Sequence, residues 1–393
     1  MMKHFFKSLA NIALCVVVGG AAGAIDSTSL RIQFIKGNIA DKTAAVREAD
    51  GEWAPVLART ALSFVLEHKA VLGDDRDLAG LAVASVLAVP DSYSASLPAA
   101  EQMNLSQELT RVFELFSDAT VKIAVVSKAV HLSDRLHHEV LVSAFNDYIS
   151  RPANESDSAV VKETIQALGT IGNDESFSVL YRLYLENTFP SLTDECARAI
   201  ARLAPRASDY VDAVIAAGDV RTIRPLFDVI EKSADCPDVF KARIAEMTLS
   251  TTIYTAEGNQ PEAVLNLQLD ALRVLVRLNW TRAAETVIVF FDQGSTAYTA
   301  GRFSESDFVE VIAATAALSP LDASRKLSAY LVALNAAQET GRAPAPRVVR
   351  AVISALGAIG NKQAFDALLA VTYLTYPDDI IAGARDSLAR LKW

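Results

Sequence analysis

Apolar residues recur along most of this chain at the spacing that gives an α-helix one buried face. Between residues 160 and 173, for example, Val161, Ile165 and Leu168 follow one another at i, i+4 and i+7. That spacing places the three side chains in a single stripe along a helix. No run of alternating β-branched residues in the sequence is long enough for a sheet. The pattern therefore predicts an all-α protein.

One stretch of this helical pattern occurs twice. Residues 160–173 read VVKETIQALGTIGN, and residues 348–361 read VVRAVISALGAIGN. Further matches continue at the same offset, so that 160–203 and 348–391 align without a gap. A repeat of this length is typical of stacked helical arrays, in which each unit packs on its neighbours.

Glycine and asparagine end the first helix in both copies. We expect Gly172 and Gly360 to adopt the left-handed conformation that glycine accepts without strain. Asn173 and Asn361 follow at once and should cap the next helix.

A second pair of glycines, Gly169 and Gly357, lies inside the predicted helices. Glycine costs about 1 kcal/mol against alanine in a helix interior. Its presence at both equivalent places predicts that another helix packs closely against each point.

Weaker copies of the unit can be followed at Ala54–Val89, Ala119–Tyr148, Asp219–Thr255, Leu265–Phe291 and Phe308–Ala337. The longest irregular stretches are expected at Pro90–Gln102, Gly294–Arg302 and Glu339–Pro346. Ser319 and Pro320 predict a helix start with a serine cap and proline in the first turn.

The run Ala-Leu-Gly-x-Ile-Gly-Asn, at 167–173 and 355–361, resembles the HEAT-repeat family, in particular the short variety also found in phycobilisome lyases. The resemblance implies a right-handed α-solenoid of stacked HEAT-like helix pairs over residues 51–393, clearest at 160–203 and 348–391. Residues 25–50 would form an N-terminal capping region.

In HEAT-like arrays the second helix of each pair usually lines the concave side, which makes the helix at 194–203 a candidate contact element. Arg198, Arg202 and Arg390 are the candidate partner-binding residues, since matched arginines could line a shared groove. The alternative for Arg202 and Arg390 is that each cation offsets the dipole at a helix C-terminus, by about 0.3–1 kcal/mol.

The first 24 residues have the pattern of an export signal. A weakly basic start precedes an apolar stretch, Leu9–Val18, which leads to Ala22-Gly23-Ala24. Small residues two apart suit signal peptidase, and we expect cleavage after Ala24. Lipidation at Cys15 is an alternative that the bulky Leu14 disfavours, and an uncleaved anchor is another. The sequence thus predicts an exported protein, periplasmic, with a secreted or envelope-associated protein as alternatives.

Composition narrows the partners. The 393 residues are 51% hydrophobic and carry a formal net charge of −10, which becomes −12 once Lys3 and Lys7 are removed. Nucleic acid requires a basic surface, so it is excluded as a partner. No later stretch reaches the ~18 apolar residues of a membrane span, so none is expected after cleavage. Two cysteines, Cys196 and Cys236, remain and could be bridged or free.

Histidines supply the one cluster with candidate chemistry. His131, Asp134 and His138 would share a face of a continuous helix and could bind a metal. The alternative is that a helix begins near Asp134, which leaves His131 in the preceding loop and His137 as a core residue. The metal hypothesis would use His131, His137 and His138 as ligands.

Catalytic signatures are absent from the sequence: it contains no G-x-S-x-G, Walker A or H-E-x-x-H motif. Among HEAT-like enzymes, deoxyhypusine hydroxylase holds di-iron with several His-Glu pairs, but this chain has one, His138-Glu139. We therefore expect no catalytic residues and no cofactor. The leading hypothesis is a non-catalytic exported scaffold or adaptor that binds protein partners. The alternatives are a metal- or cofactor-assisted enzyme centred on His131–Glu139 and a structural subunit of a cell-envelope assembly.

Overall fold

The protein is built from α-helices. A computed structural model describes residues 27–132, 138–151, 157–255 and 261–392. It is 81% helical, and no strand forms within those ranges. The prediction of an all-α fold is confirmed. The chain falls into two compact units, which divide between Ala144 and Phe145.

The first unit contains the helices up to α7, and helix α8 runs through the point of division. Their bounds are α1 (Ser27–Lys36), α2 (Ile39–Glu48), α3 (Trp53–Leu72), α4 (Arg76–Ala88), α5 (Tyr93–Ser96), α6 (Ala99–Leu115), α7 (Ala119–His131) and α8 (Glu139–Ile149). Helices α2, α4 and α7 pack side by side, and α3 and α6 lie against them as a second layer.

Buried lysines are a feature of the first unit. Each donates to a main-chain carbonyl close to the end of a helix. The four pairs are Lys42 with Phe34, Lys69 with Gly73, Lys122 with Phe113, and Lys128 with Val89. Carbonyls at helix C-termini lack partners within their own helix, so a cation placed there satisfies them and offsets the helix dipole.

The second unit contains thirteen helices with named bounds: α9 (Ser158–Ile171), α10 (Asp174–Leu185), α11 (Thr193–Leu203), α12 (Ser208–Ala216), α13 (Val220–Lys232), α14 (Asp238–Thr255), α15 (Pro261–Arg277), α16 (Ala284–Thr299), α17 (Glu305–Leu318), α18 (Pro320–Glu339), α19 (Pro346–Ile359), α20 (Phe365–Val371) and α21 (Asp378–Ala389). Helices α9, α11, α13, α15, α17, α19 and α21 pack in series and form the odd-helix layer. The alternate helices α10 to α20 pack in series as the even-helix layer. Two layers of consecutive antiparallel helices are the structure of an α-solenoid of HEAT-like repeats.

The internal repeat packs as its glycines predict. A Cβ atom added at Gly169 would lie 2.9 Å from the Cα of Ala199, so α9 and α11 touch there. At the equivalent Gly357 it would lie 2.4 Å from Ser387 Oγ, between α19 and α21. The prediction of close helix packing at both glycines is confirmed.

The two helix ends of the repeat differ. Gly360 has φ +68° and is left-handed, as predicted, but Gly172 is extended with φ −65° and ψ 166°. The prediction for Gly172 is wrong, because its chain turns directly into a capping box formed by Asn173 and Ser176. Glycine is needed there for space, since a Cβ would lie 2.8 Å from Ser176 Cβ. Asn361 caps Gln363 at 3.0 Å, so both asparagines are caps, as predicted.

Three further expectations about element boundaries are wrong. Pro90–Gln102 is not irregular throughout, because α5 lies inside it and α6 begins at Ala99. Residues 294–299 are helical, because Gly294 and Ala297 are buried in the last turns of α16. Helix α18 does begin with Pro320, but Ser319 does not cap it through its side chain. Ser319 is the single residue between α17 and α18, and its N–H donates to Thr315 O, so its conformation is set by both helices.

Candidate binding groove on the odd-helix layer

Ion pairs join successive helices of the odd-helix layer. Each pair links a side chain of one helix to the next helix in the layer or to the turn that follows it. The pairs are Lys162–Glu195 (3.5 Å), Arg202–Asp235 (2.9 Å), Arg224–Asp270 (2.6 Å), Arg273–Glu310 (2.6 Å), Arg347–Glu305 (3.4 Å) and Arg350–Asp379. We call this set the charge ladder. It connects α9 to α21 step by step.

The middle of the charge ladder is a network. Arg224 pairs with Asp228 at 3.1 Å and with Asp270 at 2.6 Å. Asp270 also accepts a hydrogen bond from Arg273. Arg273 in turn donates to both carboxylate oxygens of Glu310, at 2.6 and 2.7 Å. That two-point hydrogen bond raises the pKa of the Arg273 guanidinium above its usual range. Bidentate arginine–carboxylate pairs are geometrically specific, so the network links α13, α15 and α17 at defined positions on their surface.

A groove of about 820 Å³ lies between α11 and α13. Its apolar lining comes from Tyr184, Ala197, Pro225, Val229 and Ala234. Pro225 stands inside α13, where its ring replaces a main-chain N–H. The volume is in the range of sites that hold a ligand or an anchoring side chain.

Charged side chains also line this groove, three of each sign. The acidic ones are Asp194, Asp228 and Asp235, and the basic ones are Arg198, Arg224 and Lys232. Each basic residue already has an acidic neighbour: Arg198 has Glu195 at 3.2 Å, and Lys232 has Asp228 at 3.6 Å. The lining is therefore charge-balanced, and its cations are engaged within the protein.

Two more depressions adjoin this groove between α13 and α15. They measure about 730 and 490 Å³, and both share Arg224 with the first groove. The depressions therefore run from α11 across α13 to α15 on the same layer as the charge ladder.

The candidate arginines of the sequence occupy different places. Arg198 and Arg202 lie on α11, where Arg198 lines the groove and Arg202 holds Asp235. Arg390 lies just after α21, on a different helix of the odd-helix layer, and is exposed. The structure thus brings Arg198 to the groove, places Arg202 next to the lining residue Asp235, and leaves Arg390 on another helix.

The histidine cluster is described in part. His131 is the last residue of α7, not a loop residue as expected, and its Nδ1 lies 2.8 Å from Ser127 O. His138 is half-buried just before Glu139, the first residue of α8. Asp134 and His137 lie outside the described residues, as do Cys15 and Ala24. Among the residues that are described, no three His, Cys, Asp or Glu side chains are grouped so as to hold a metal.

Both cysteines of the described chain are free and buried. Cys236 donates to Ala201 O at 3.0 Å. Burial raises the pKa of each thiol to about 11, so neither Cys196 nor Cys236 has the character of a nucleophile.

The comparison with protein families gives one match. Residues 348–372, which cover α19 and α20, match the model described as PBS lyase HEAT-like repeat. The match is consistent with a HEAT-repeat family, and together with the two helical layers it makes the protein a helical-repeat scaffold by architecture. No curated protein and no solved structure matches the chain. Within the described part, no helix is long and apolar enough to cross a membrane.

Sequence reasoning missed the α13 side of the groove. Pro225, Asp228, Val229 and Lys232 all come from this helix. The available signal was the proline in the amphipathic run Thr-Ile-Arg-Pro-Leu-Phe. Proline inside a helix removes a main-chain hydrogen bond, so its presence there indicates a local structural or functional role.

Proposed function

We propose that the protein is a non-catalytic scaffold or adaptor, working outside the cytoplasm, that holds a segment of a protein partner in the groove between α11 and α13. The observation that supports this is the lining of the groove, which combines apolar side chains with charged side chains of both signs. Protein segments combine apolar anchors with charges of both signs, and this is the surface that they complement.

The charge balance favours a protein over other ligands. A polyanion would require cations that are not already paired, yet Arg198, Arg224 and Lys232 each have an acidic neighbour. Paired charges at a rim contribute more to the choice of partner than to affinity. The apolar lining, which includes Ala197 and Val229, would supply the binding energy.

The helix packing around the groove also supports the scaffold proposal. Helix α11 packs on α9, and α13 packs on α14 and α15, so both walls of the groove belong to the packed array. A surface that is already ordered loses little conformational entropy on binding, so modest contacts suffice.

The test fills the groove without breaking an ion pair. Ala197 is half-buried on α11 and lines the groove, so Ala197→Tyr should place a ring inside the groove. The matched control is Ala213→Tyr, at an exposed position of α12 in the even-helix layer. A photo-reactive residue in place of Ala234, which is exposed and lines the groove, identifies what lies in the groove in cells. We expect one partner to be cross-linked, and Ala197→Tyr to weaken its binding at least about tenfold.

Both variants must first match the wild-type melting temperature. If the identified partner binds Ala197→Tyr as tightly as wild type, the groove is not the contact surface. If no protein is cross-linked above the level of an unirradiated sample, the scaffold proposal fails at this site.

A further inference from the structure

The charged side chains of the groove between α11 and α13 are not equally engaged. Its three basic residues each pair with a carboxylate, and two of its aspartates, Asp228 and Asp235, each pair with a cation. The third aspartate, Asp194, is exposed in the first turn of α11. Over the ranges that the structure describes, its carboxylate has no ion pair and no hydrogen bond. Among the described lining residues, the charge left unengaged is therefore negative.

Arg198 lies one turn beyond Asp194 on α11. The spacing i, i+4 would allow its guanidinium to pair with the Asp194 carboxylate. Instead its Nη2 lies 3.2 Å from Glu195 Oε1, and its Nε donates to the main-chain O of Asp194 at 3.2 Å. The Glu195 side chain is only 14% exposed, so it has a greater need of a counter-ion than the exposed Asp194. The helix thus directs its own cation to Glu195 and leaves the Asp194 carboxylate unpaired.

Apolar groups of the lining lie close to Asp194. Ala197 is three residues further along α11, so the two side chains share a face of the helix, with about 5–6 Å between their Cβ atoms. Tyr184, in the last turn of α10, is half-buried and also lines the groove. Burial raises the pKa of the Tyr184 phenol, and the charges of Asp228 and Asp194 raise it further. The Tyr184 ring is therefore neutral and lies within the field of both carboxylates.

A ligand that covers Asp194 displaces the water around its carboxylate. A neutral group would remove that water without supplying a compensating charge, which is unfavourable. An acidic group would add repulsion, and the basic side chains of the lining are already paired. A cation replaces the water and is also attracted to an aromatic ring such as that of Tyr184. Charge and apolar surface together select a side chain that is cationic at its tip and aliphatic along its stem.

We propose that a lysine or arginine side chain of the bound segment anchors in this groove, an assignment that rests on the function proposed above. Its cationic group pairs with Asp194, and its aliphatic stem lies along Ala197 and the Tyr184 ring. The partner is thus a protein segment with a basic anchor, in place of an acidic or purely apolar one.

Selection from a phage-displayed library of short random peptides tests the charge of the anchor. Peptides are kept that bind the wild-type protein but not Ala197→Tyr, whose groove is filled. We expect these peptides to share a basic residue at one position. Asp194→Asn keeps the size of the side chain and removes its charge, so the same selection on this variant should lose that preference.

One selected peptide then measures the pairing in solution by fluorescence polarisation. Asp194→Asn should raise its Kd at least about fivefold, the effect of losing one charge-assisted contact. The same peptide with its basic residue changed to methionine should bind the wild type and Asp194→Asn equally, because the pair is already broken.

The matched control is Asp209→Asn. Asp209 is an exposed aspartate in the first turn of α12 and does not line the groove. Both variants therefore lose one negative charge and one favourable interaction with a helix N-terminus. Their melting temperatures should match, and Asp209→Asn should leave the Kd of the peptide unchanged.

Three results overturn the proposal, and they separate it from the proposed function. If the peptides that require an open groove share no basic residue, or keep their affinity for Asp194→Asn, the groove holds segments through another anchor and this inference alone fails. If Asp209→Asn weakens binding as much as Asp194→Asn does, the effect comes from the net charge of the chain. If no peptide distinguishes the wild type from Ala197→Tyr, the groove binds no segment, and the proposed function fails as well.

Discussion

Single glycines decide how closely the repeated helices approach. At the Gly357 site an added Cβ would meet Ser387 at its Oγ, at its Cβ (2.8 Å) and at its Cα (3.1 Å). A side-chain rotation cannot relieve a contact with the main chain, so α19 and α21 would have to separate.

We therefore expect Gly357→Ala to destabilise the protein by about 1–3 kcal/mol, the usual cost of overpacking, despite alanine's better helix propensity. Gly383→Ala is the matched control. Gly383 lies on α21, and its Cβ would be 4.0 Å from the nearest atom, Ile353 Cγ2. That substitution should stabilise by up to about 1 kcal/mol. Urea denaturation compares the two variants, and equal stability would refute the close-packing account.

At the scale of elements, the buried lysines join helix ends in the first unit. Lys128 of α7 is 7% exposed, and its Nζ donates to Val89 O and to Asp91, both at 2.8 Å. It thereby ties α7 to the turn that follows α4. The hydrogen bond with Lys128 holds the pKa of Asp91 below its ordinary value of 3.8.

Lys128→Met should cost about 1–3 kcal/mol, because Val89 O loses its buried partner. Lys36→Met, on the exposed surface of α1, should cost less than about 1 kcal/mol. Chemical denaturation, with a signal that reports on unfolding of the first unit, measures the free energy of unfolding of both variants.

The Lys128–Asp91 pair makes the free energy of unfolding depend on pH, and the sign of that dependence follows from the lowered pKa of Asp91. Because the pKa of Asp91 is lowered in the folded state, its contribution is present above 3.8 and is lost as pH falls through the lowered value. The difference in unfolding free energy between wild type and Lys128→Met should therefore become smaller below pH 3.8. If this difference stays constant below pH 3.8, the destabilisation comes from the lost hydrogen bond to Val89 O and not from the ion pair with Asp91.

The sequence predicted those elements whose pattern is local. The apolar helix stripes, the asparagine caps and the close packing at the two interior glycines were predicted from residues within a few helical turns, and all three predictions are confirmed. Helices α6 and α12 were missed, because they have no close copy in the repeat and α6 begins with a polar first turn. The groove could not be predicted, since pairs such as Arg224–Asp270 join residues of different helices.

At the scale of the whole molecule, stability in the second unit should vary along the array. Helices α13, α15 and α17 each have an odd-helix neighbour on both sides, whereas α21 has α19 on one side and no further described helix beyond it. In a linear array each unit is stabilised by its neighbours, so units with one neighbour open more easily. The main-chain bond from Lys392 N to Gly360 O, 2.8 Å, is one added restraint on α21.

Hydrogen exchange with mass spectrometry should therefore show amides of α20 and α21 exchanging before those of α13 and α15. The wild type at two denaturant concentrations serves as its own control, since local opening is insensitive to denaturant and global opening is not. Simultaneous exchange of all these helices would mean that the second unit opens as one cooperative block.

The balanced charges of the groove also bear on how fast a partner would arrive. A surface with a net charge attracts an oppositely charged partner from a distance and raises the rate of encounter, and salt then reduces that rate. The lining between α11 and α13 carries three charges of each sign, which cancel beyond a few ångströms. The lining itself would therefore add little to the rate of encounter, and any dependence of that rate on salt would come from the net charge of −10 on the whole chain. Among partners of similar net charge, differences would then lie in how long each one stays bound.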